Sequence, residues 1–276
     1  MTREHRVISA LHPTRVPVPR PLLLCEDPEV LGAPFYVMEF VEGTPYRTAE
    51  QLAPLGTERT RDTVLSVVDT LVELHGVDPA EAGLADFGRP EGFLDRQLRR
   101  WGKQLDASRN RELNGVDELH AALGRALPAS PAPTVVHGDY RLDNCMLGFD
   151  NRIAAVLDWE ICTLGDPLAD VGLLMVYWNE ANDATQALVT SAATAVPGFA
   201  TRAELLERYA KTSGRDLSAV DFYVAFGYWK LACIVEGVYA RYAHGAMGKP
   251  AAGFEAFATQ TVRLAEAAKA AVDKFA

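Results

Sequence analysis

Three polar side chains near the middle of the sequence have types and a spacing that suit phosphoryl transfer. Asp139 and Asn144 lie five residues apart in the run His-Gly-Asp-Tyr-Arg-Leu-Asp-Asn, and Asp158 ends a later apolar run. Transfer of a phosphoryl group to a hydroxyl needs a carboxylate that orients the hydroxyl and accepts its proton. It also needs oxygen ligands that hold Mg²⁺ against the nucleotide phosphates. Two carboxylates and an amide favour Mg²⁺ over zinc.

Two short strands have to position these groups. The β-branched and apolar runs predict one strand over Thr134–His137 and a second over Ile153–Asp158, with a loop between them. A hairpin of this kind would bring Asp139, Asn144 and Asp158 to one edge. The space around that edge would hold a metal and a phosphate.

The neighbouring polar residues have simpler explanations than catalysis. We expect His137 to brace the loop by hydrogen bonds, and Asp143 to shape the turn beside Asn144. Asp170 stands at a predicted helix start, where it would accept hydrogen bonds from backbone amides of the loop. Cys145 is expected to be a buried, inert thiol.

The rest of the chain predicts an α+β protein. Its N-terminal part contains a helix that ends near Leu11 and two strands, Leu22–Cys25 and Phe35–Val41. A mainly helical body follows, in which the predicted strand pair is embedded. Its helix candidates are a stripe from Val64 to His75 with Thr57 as the N-cap, Pro90–Leu105, Asp117–Leu127 and Glu255–Phe275.

Composition narrows the possible partners and the cellular location. The 276 residues are 49% hydrophobic and carry 27 Lys and Arg against 37 Asp and Glu, a formal charge of −10. Nucleic acid is therefore not expected as a partner, because proteins that bind it are usually basic. No apolar run reaches the roughly 18–20 residues of a membrane-spanning helix. The four scattered cysteines indicate reduced thiols, and we expect a cytoplasmic protein.

The central motif resembles a known family. His137-Gly-Asp139, with Asn144 five residues after the aspartate, has the spacing of the protein-kinase catalytic loop, and Asp158-Trp159 stands in place of Asp-Phe-Gly. The sequence is similar to the aminoglycoside phosphotransferase and choline-kinase-like family, in a branch related to acyl-CoA dehydrogenase-fused phosphotransferase domains. The resemblance extends along most of the chain. It implies a protein-kinase-like fold, with a truncated N-terminal lobe and an α-helical C-terminal lobe that contains a short catalytic hairpin.

The resemblance also implies roles for individual residues. Asp139 would be the general base, and Asn144 and Asp158 would be the Mg²⁺ ligands. The expected reaction moves the γ-phosphoryl group of ATP to a hydroxyl of a small molecule, in the presence of Mg²⁺. A metabolite such as a hydroxyacyl compound is favoured over an aminoglycoside as the acceptor.

The same resemblance assigns a nucleotide-binding hinge after the second strand. Backbone groups near Glu39 and Val41 would contact adenine, with Met38 behind the adenine pocket. The expected division is residues 1–43, a remnant of the N-terminal lobe with the hinge, and residues 44–276, the catalytic lobe.

One family feature has no match in this sequence. Glu4 resembles the helix glutamate that pairs with a phosphate-binding lysine, but no lysine precedes Lys103 and no Gly-rich loop precedes Glu4. About three strands of the small lobe are thus expected to be lacking. An impaired nucleotide-binding or regulatory pseudoenzyme therefore stays open as an alternative. Hydrolysis of a phosphate ester at the same metal site is a third hypothesis.

Overall fold

A small strand-bearing part at the N-terminus packs beside a larger helical part, as seen in a computed structural model. The structure describes residues 1–180, 183, 193–245 and 253–275. The helices are α1 (Thr2–Leu11), α2 (Pro28–Leu31), α3 (Ala49–Leu52), α4 (Gly56–His75), α5 (Phe93–Ser108), α6 (Val116–Arg125), α7 (Leu168–Tyr177), α8 (Arg202–Ser213), α9 (Val220–Ala243) and α10 (Ala256–Val272). The strands are β1 (Pro21–Cys25), β2 (Phe35–Met38), β3 (Thr44–Pro45), β4 (Thr134–Val136), β5 (Cys145–Leu147), β6 (Ile153–Val156) and β7 (Thr163–Gly165).

The N-terminal elements follow the sequence pattern closely. Helix α1 buries Val7, Ile8 and Leu11, the stripe that its periodicity predicts. Strands β1 and β2 pair antiparallel, with Cys25 opposite Phe35. The second strand ends at Met38 rather than at Val41.

The predicted strand pairing is wrong in one respect. Strand β4, which precedes the Asp139 loop, pairs antiparallel with β7 and not with β6. Strand β6 instead pairs with β5, and β5 also pairs with β3. The short β5 run is not recognisable from the sequence, because three residues contain too little alternation to reveal a strand. The hairpin that precedes Asp158 is therefore β5–β6, and β4–β7 is a separate two-stranded sheet.

The helical body supports these sheets. Helix α9 lies at its centre and packs against α5, α7 and α10. Helix α5 begins at Phe93 rather than at Pro90, because Gly92 adopts a left-handed φ of 63° that ends the preceding turn. Helix α4 begins at Gly56, and Thr57 lies inside it instead of capping it.

The N-terminal and helical parts are joined by strand pairing. Strand β3, directly after the predicted boundary at residue 43, pairs with β5 in the catalytic hairpin. The division at that residue stays a prediction. Across the described ranges, every helix is too short or too polar to cross a membrane.

The crossing of α7 and α9 gives a stability prediction. A Cβ at Gly172 would lie 2.4 Å from the carbonyl carbon of Tyr223, so the two backbones meet without room for a methyl group. Gly172→Ala should lower the free energy of unfolding by about 1–3 kcal/mol through overpacking. Urea denaturation measures the change.

Gly124→Ala is the matched control, because its Cβ would meet only Leu98 Cδ2 at an ordinary 3.6 Å. That variant should be neutral or more stable by up to about 1 kcal/mol, the usual helix gain of alanine over glycine. Equal stability of the two variants would contradict the close approach of α7 and α9.

Candidate active site

A buried carboxylate in α7 anchors the loop that carries Asp139. Both Asp170 oxygens accept backbone N–H groups, Oδ2 from His137 at 2.7 Å and Oδ1 from Gly138 at 2.8 Å. Asp170 is 0% exposed, so it must be hydrogen-bonded to remain charged. The predicted contact between Asp170 and the loop amides is confirmed.

A histidine and a tyrosine complete the surroundings of Asp170. His75 Nε2 lies 3.3 Å from Asp170 Oδ2, and His75 Nδ1 lies 2.8 Å from the Tyr209 hydroxyl. Burial lowers the pKa of His75, so the ring is neutral and donates one N–H to the carboxylate. Burial alone would raise the pKa of Asp170, but the hydrogen bond from His75 and the Gly138 amide lower it overall. Asp170 is therefore ionised where it holds the loop.

His137 links the loop to the chain segment before Asp158. Its Nδ1 accepts the N–H of Asp139 at 3.2 Å, and its Nε2 donates to the Leu157 carbonyl at 2.9 Å. The ring lies against Trp159, with centroids 4.7 Å apart. The bracing role predicted for His137 is confirmed.

The Asp139 carboxylate is held by its neighbours and is still partly open to solvent. Oδ1 accepts the Tyr177 hydroxyl at 2.8 Å, and Oδ2 accepts Asn144 Nδ2 at 3.3 Å. Arg141 Nε lies 3.5 Å from Oδ2, and 25% of the Asp139 side chain is exposed. Each carboxylate oxygen has a second lone pair, so Asp139 can also accept a hydrogen bond from a bound molecule.

Asn144 is oriented by the same loop. Its Nδ2 donates to the Asp139 carbonyl at 2.9 Å, which leaves Oδ1 as the atom that can ligate a cation. The Asn144 carbonyl accepts the N–H of Leu157 at 2.8 Å. Asn144 is thus bonded to the residue next to Asp158, which brings the three predicted residues into one neighbourhood.

Asp158 has an unusual backbone conformation for a residue other than glycine. Its φ is 66°, in the left-handed region, and its side chain is exposed. Aspartate tolerates this region better than most residues, and such conformations cluster at functional sites. Its charge acts on Tyr36, whose pKa is raised by burial first and then by Glu4 and Asp158. Glu4 in α1 and Asp158 therefore both lie near Tyr36.

The predicted hinge residues lie at and after the end of β2. Met38 is 40% exposed, and the N–H of Glu39 donates to the Arg20 carbonyl at 2.9 Å. The Glu39 side chain also accepts the Arg20 N–H at 2.9 Å. The N–H of Val41 makes no hydrogen bond to any described residue. Contact of these residues with adenine stays a prediction.

Three residues of the site were not recognised from the sequence. Arg141 lies between the carboxylates of Asp139 and Asp143. Its guanidinium is 5.1 Å from the Tyr177 ring centroid, and its Nε makes no hydrogen bond to a described residue. In the sequence, Tyr177 looks like a core aromatic residue at helical spacing. Lys230 in α9 belongs to no recognisable motif, although its Nζ donates to the Gly138 carbonyl at 2.8 Å. Only the short distance from Asp139 to Arg141 along the chain could have signalled one of them.

The donor atoms suit a cation that also binds phosphate. No group of three His, Cys, Asp or Glu side chains with metal-site geometry occurs within the described ranges. The available set is the Asn144 amide oxygen and the Asp158 carboxylate, both hard oxygen donors. Mg²⁺ is commonly held by one or two protein ligands together with phosphate oxygens, so the residues fit that ion.

The sequence is similar to those of known proteins. A model of the phosphotransferase enzyme family matches residues 1–205. Acyl-CoA dehydrogenase family member 11 of Gallus gallus is 35% identical over 252 residues, which cover 88% of this chain and 32% of that protein. The chain therefore spans about a third of the length of the curated relatives that it matches.

Solved structures share the fold. A crystal structure of a candidate aminoglycoside phosphotransferase from Ralstonia eutropha superposes with a TM-score of 0.86 at 33% identity, covering 99% of this chain and 83% of the other. A ternary complex of streptomycin, ATP and the aminoglycoside phosphotransferase APH(2")-IIa has a TM-score of 0.56 at 15% identity, covering 85% and 73%. At that identity the likeness supports the fold alone.

A substitution of Asp170 tests whether this carboxylate anchors the loop. In Asp170→Asn, one oxygen becomes an NH₂ group that faces a backbone N–H, so a buried donor loses its acceptor. We expect the free energy of unfolding to fall by about 3 kcal/mol, the usual cost of breaking a buried charged contact. Chemical denaturation followed by circular dichroism measures it.

Asp62→Asn, at an exposed position of α4, is the control and should change stability by less than about 0.5 kcal/mol. If the two variants unfold at the same denaturant concentration, Asp170 does not anchor the loop.

Proposed function

We propose that this chain, which belongs to the phosphotransferase enzyme family, transfers the γ-phosphoryl group of ATP to a hydroxyl of a small molecule. The observation that carries the proposal is the grouping of Asp139, Asn144 and Asp158 by the hydrogen bonds of one loop. A carboxylate that accepts protons beside a pair of hard oxygen donors is the combination that this reaction needs.

Asp139 acts on the acceptor in this mechanism. Its carboxylate accepts a hydrogen bond from the acceptor hydroxyl and takes the proton as the new O–P bond forms. The bond between the γ-phosphorus and the bridging oxygen breaks, and ADP leaves with the electron pair. Tyr177 and Asn144 fix the carboxylate. Burial and the Asp139 charge raise the pKa of Tyr177, so its hydroxyl stays protonated and keeps donating.

Arg141 and the proposed metal ligands would balance the negative charge of the phosphoryl group. The Arg141 side chain is partly exposed beside Asp139, so its guanidinium can supply positive charge to a phosphoryl oxygen. Asn144 Oδ1 and the Asp158 carboxylate would hold Mg²⁺, which neutralises phosphate charge when bound. Asp158 is exposed and has a left-handed backbone conformation.

The nucleotide is proposed to lie between the segment after β2 and the loop of Asp139. The unbonded N–H of Val41 is a donor for adenine, with Glu39 and Met38 beside it. ATP is supported by family membership and by the ATP complex of a protein with the same fold. Adenine recognition by backbone groups needs no particular side chains.

The acceptor is proposed to be a metabolite, such as a hydroxyacyl compound, in preference to an aminoglycoside. Its support is the similarity to proteins named for acyl-CoA dehydrogenases over 88% of this chain. The chain covers 32% of that relative, so the dehydrogenase name describes a longer protein. We also propose a cytoplasmic location, because thiols such as Cys145, whose pKa burial raises to about 12, are unpaired.

A pseudoenzyme is the second candidate, and one observation favours it. No lysine precedes Lys103, so none in α1 to α4 can bind the nucleotide phosphates beside Glu4. The retained set of Asp139, Asn144 and Asp158 favours catalysis, because a binding module needs no base. Turnover separates the two candidates: a pseudoenzyme can bind the nucleotide but does not consume it.

Nucleotide binding can be tested through the thermal midpoint of unfolding. Mg·ATP at about 100 times its dissociation constant should stabilise the protein by about 2.7 kcal/mol and raise the midpoint visibly. Asp158→Asn keeps a residue that tolerates the left-handed backbone but removes the charge, so the Mg·ATP shift should be lost. Differential scanning fluorimetry measures each protein against its own unliganded midpoint.

Asp150→Asn serves as the control, because Asp150 is exposed in the turn of the same β5–β6 hairpin. It should retain the full shift. An Asp158→Asn protein that responds to Mg·ATP as the parent does would refute the metal assignment.

A further inference from the structure

A small cavity lies against the catalytic loop on the side of α5 and α9. Its volume is about 60 Å³, enough for a few water molecules or one small polar group. Apolar side chains form most of its wall: Phe93, Trp101, Ile161, Leu173 and Phe226. Gly138, the residue before Asp139, belongs to the lining. A group bound there would be close to the base.

A lysine provides the main charge of this cavity. Lys230 Nζ donates to the Gly138 carbonyl at 2.8 Å and lies 5.5 Å from the Trp101 ring centroid. An ammonium has three donors, and this is the one hydrogen bond that Lys230 makes to the described residues. Burial lowers the pKa of Lys230, although the negative charges of Asp139 and Asp170 act in the opposite direction. An added anion would satisfy the remaining donors.

The neighbouring acid does not pair with this lysine. Asp170 also lines the cavity, but its oxygens accept the amides of His137 and Gly138. Among the described residues, no carboxylate oxygen lies within 4.0 Å of Lys230 Nζ. The lysine charge is therefore available to a ligand.

A second cation lies at the cavity wall. Arg100 is exposed, and its guanidinium is 5.5 Å from the Trp101 ring. It forms no ion pair with any residue in the described part of the chain. Two cations favour an anionic group and repel polycationic compounds, in contrast to the overall charge of −10.

We propose that the cavity binds a carboxylate of the acceptor, so that the substrate is a short hydroxy acid held by Lys230 and Arg100. This inference rests on the proposed function for the role of the acceptor hydroxyl. Gly138 lines the cavity and directly precedes Asp139, so the proposed acceptor carries its carboxylate and its reacting hydroxyl on a short carbon chain. Lys230 and Arg100 thereby determine specificity, and Asp139 performs the chemistry.

Ligand binding without nucleotide tests the proposal. Saturation-transfer NMR would compare glycolate, lactate and 3-hydroxybutyrate with their neutral amides at constant ionic strength. At least one acid should bind about 10-fold or more tightly than its amide, as expected for a charge-assisted hydrogen bond. Equal binding of every acid and its amide, or binding of none, would overturn the proposal.

Two variants of cavity residues and one control variant test whether the acid binds in this cavity. Lys230→Met should abolish the preference for the acid, and Arg100→Gln should reduce it several-fold. Lys103→Gln removes an exposed charge from the same helix as Arg100 and should leave the preference unchanged. A preference that survives in both cavity variants would contradict the assignment.

The preference for the acid over its amide can be distinguished from effects on folding and on nucleotide binding. Circular dichroism checks that Lys230→Met is folded, and if it is not, Arg100→Gln decides because Arg100 is exposed. Nucleotide is absent from the titration, so a failure here leaves the Mg·ATP shift intact. Conversely, an acid preference without a Mg·ATP shift would support the cavity and refute the phosphotransferase proposal.

Discussion

The catalytic loop depends on one carboxylate, that of Asp170. A loop that leaves a strand has backbone N–H groups without partners, and buried N–H groups need acceptors. Asp170 accepts two of them, from His137 and Gly138, and so fixes the two residues directly before Asp139. The loop that carries Asp139 is therefore positioned by helix α7. His137 extends the same constraint to Leu157 and hence to the backbone before Asp158.

Much of this arrangement could be predicted from the sequence, because the motif places its residues along a continuous chain. The spacing of Asp139 and Asn144 and the helix start at Asp170 are local features, and so is the periodicity of α1. Strand pairing is not local: β4 pairs with β7 across an intervening hairpin, and the sequence contains no signal that selects this partner over β6. The position of Lys230 is equally non-local, since α9 approaches the loop only through helix packing.

Net charge is a poor guide to the chemistry of this site. The chain is acidic overall, with a formal charge of −10, yet Arg141, Lys230 and Arg100 surround the region beside Asp139 and its cavity. Long-range charge affects solubility and encounter with other molecules, whereas binding depends on charges within a few ångström and on how much water surrounds them. Local cations can attract phosphate and carboxylate groups even in a protein of negative net charge.

The central claim is that Asp139 transfers a phosphoryl group to a hydroxyl and does not merely accompany bound nucleotide. ³¹P NMR of Mg·ATP incubated with the protein and a mixture of small hydroxyl compounds tests it directly. The account predicts loss of the γ-phosphate signal with appearance of ADP and a phosphate monoester, and no such change with Asp139→Asn. Unchanged ATP, release of inorganic phosphate alone, or an equally active Asp139→Asn protein would contradict it.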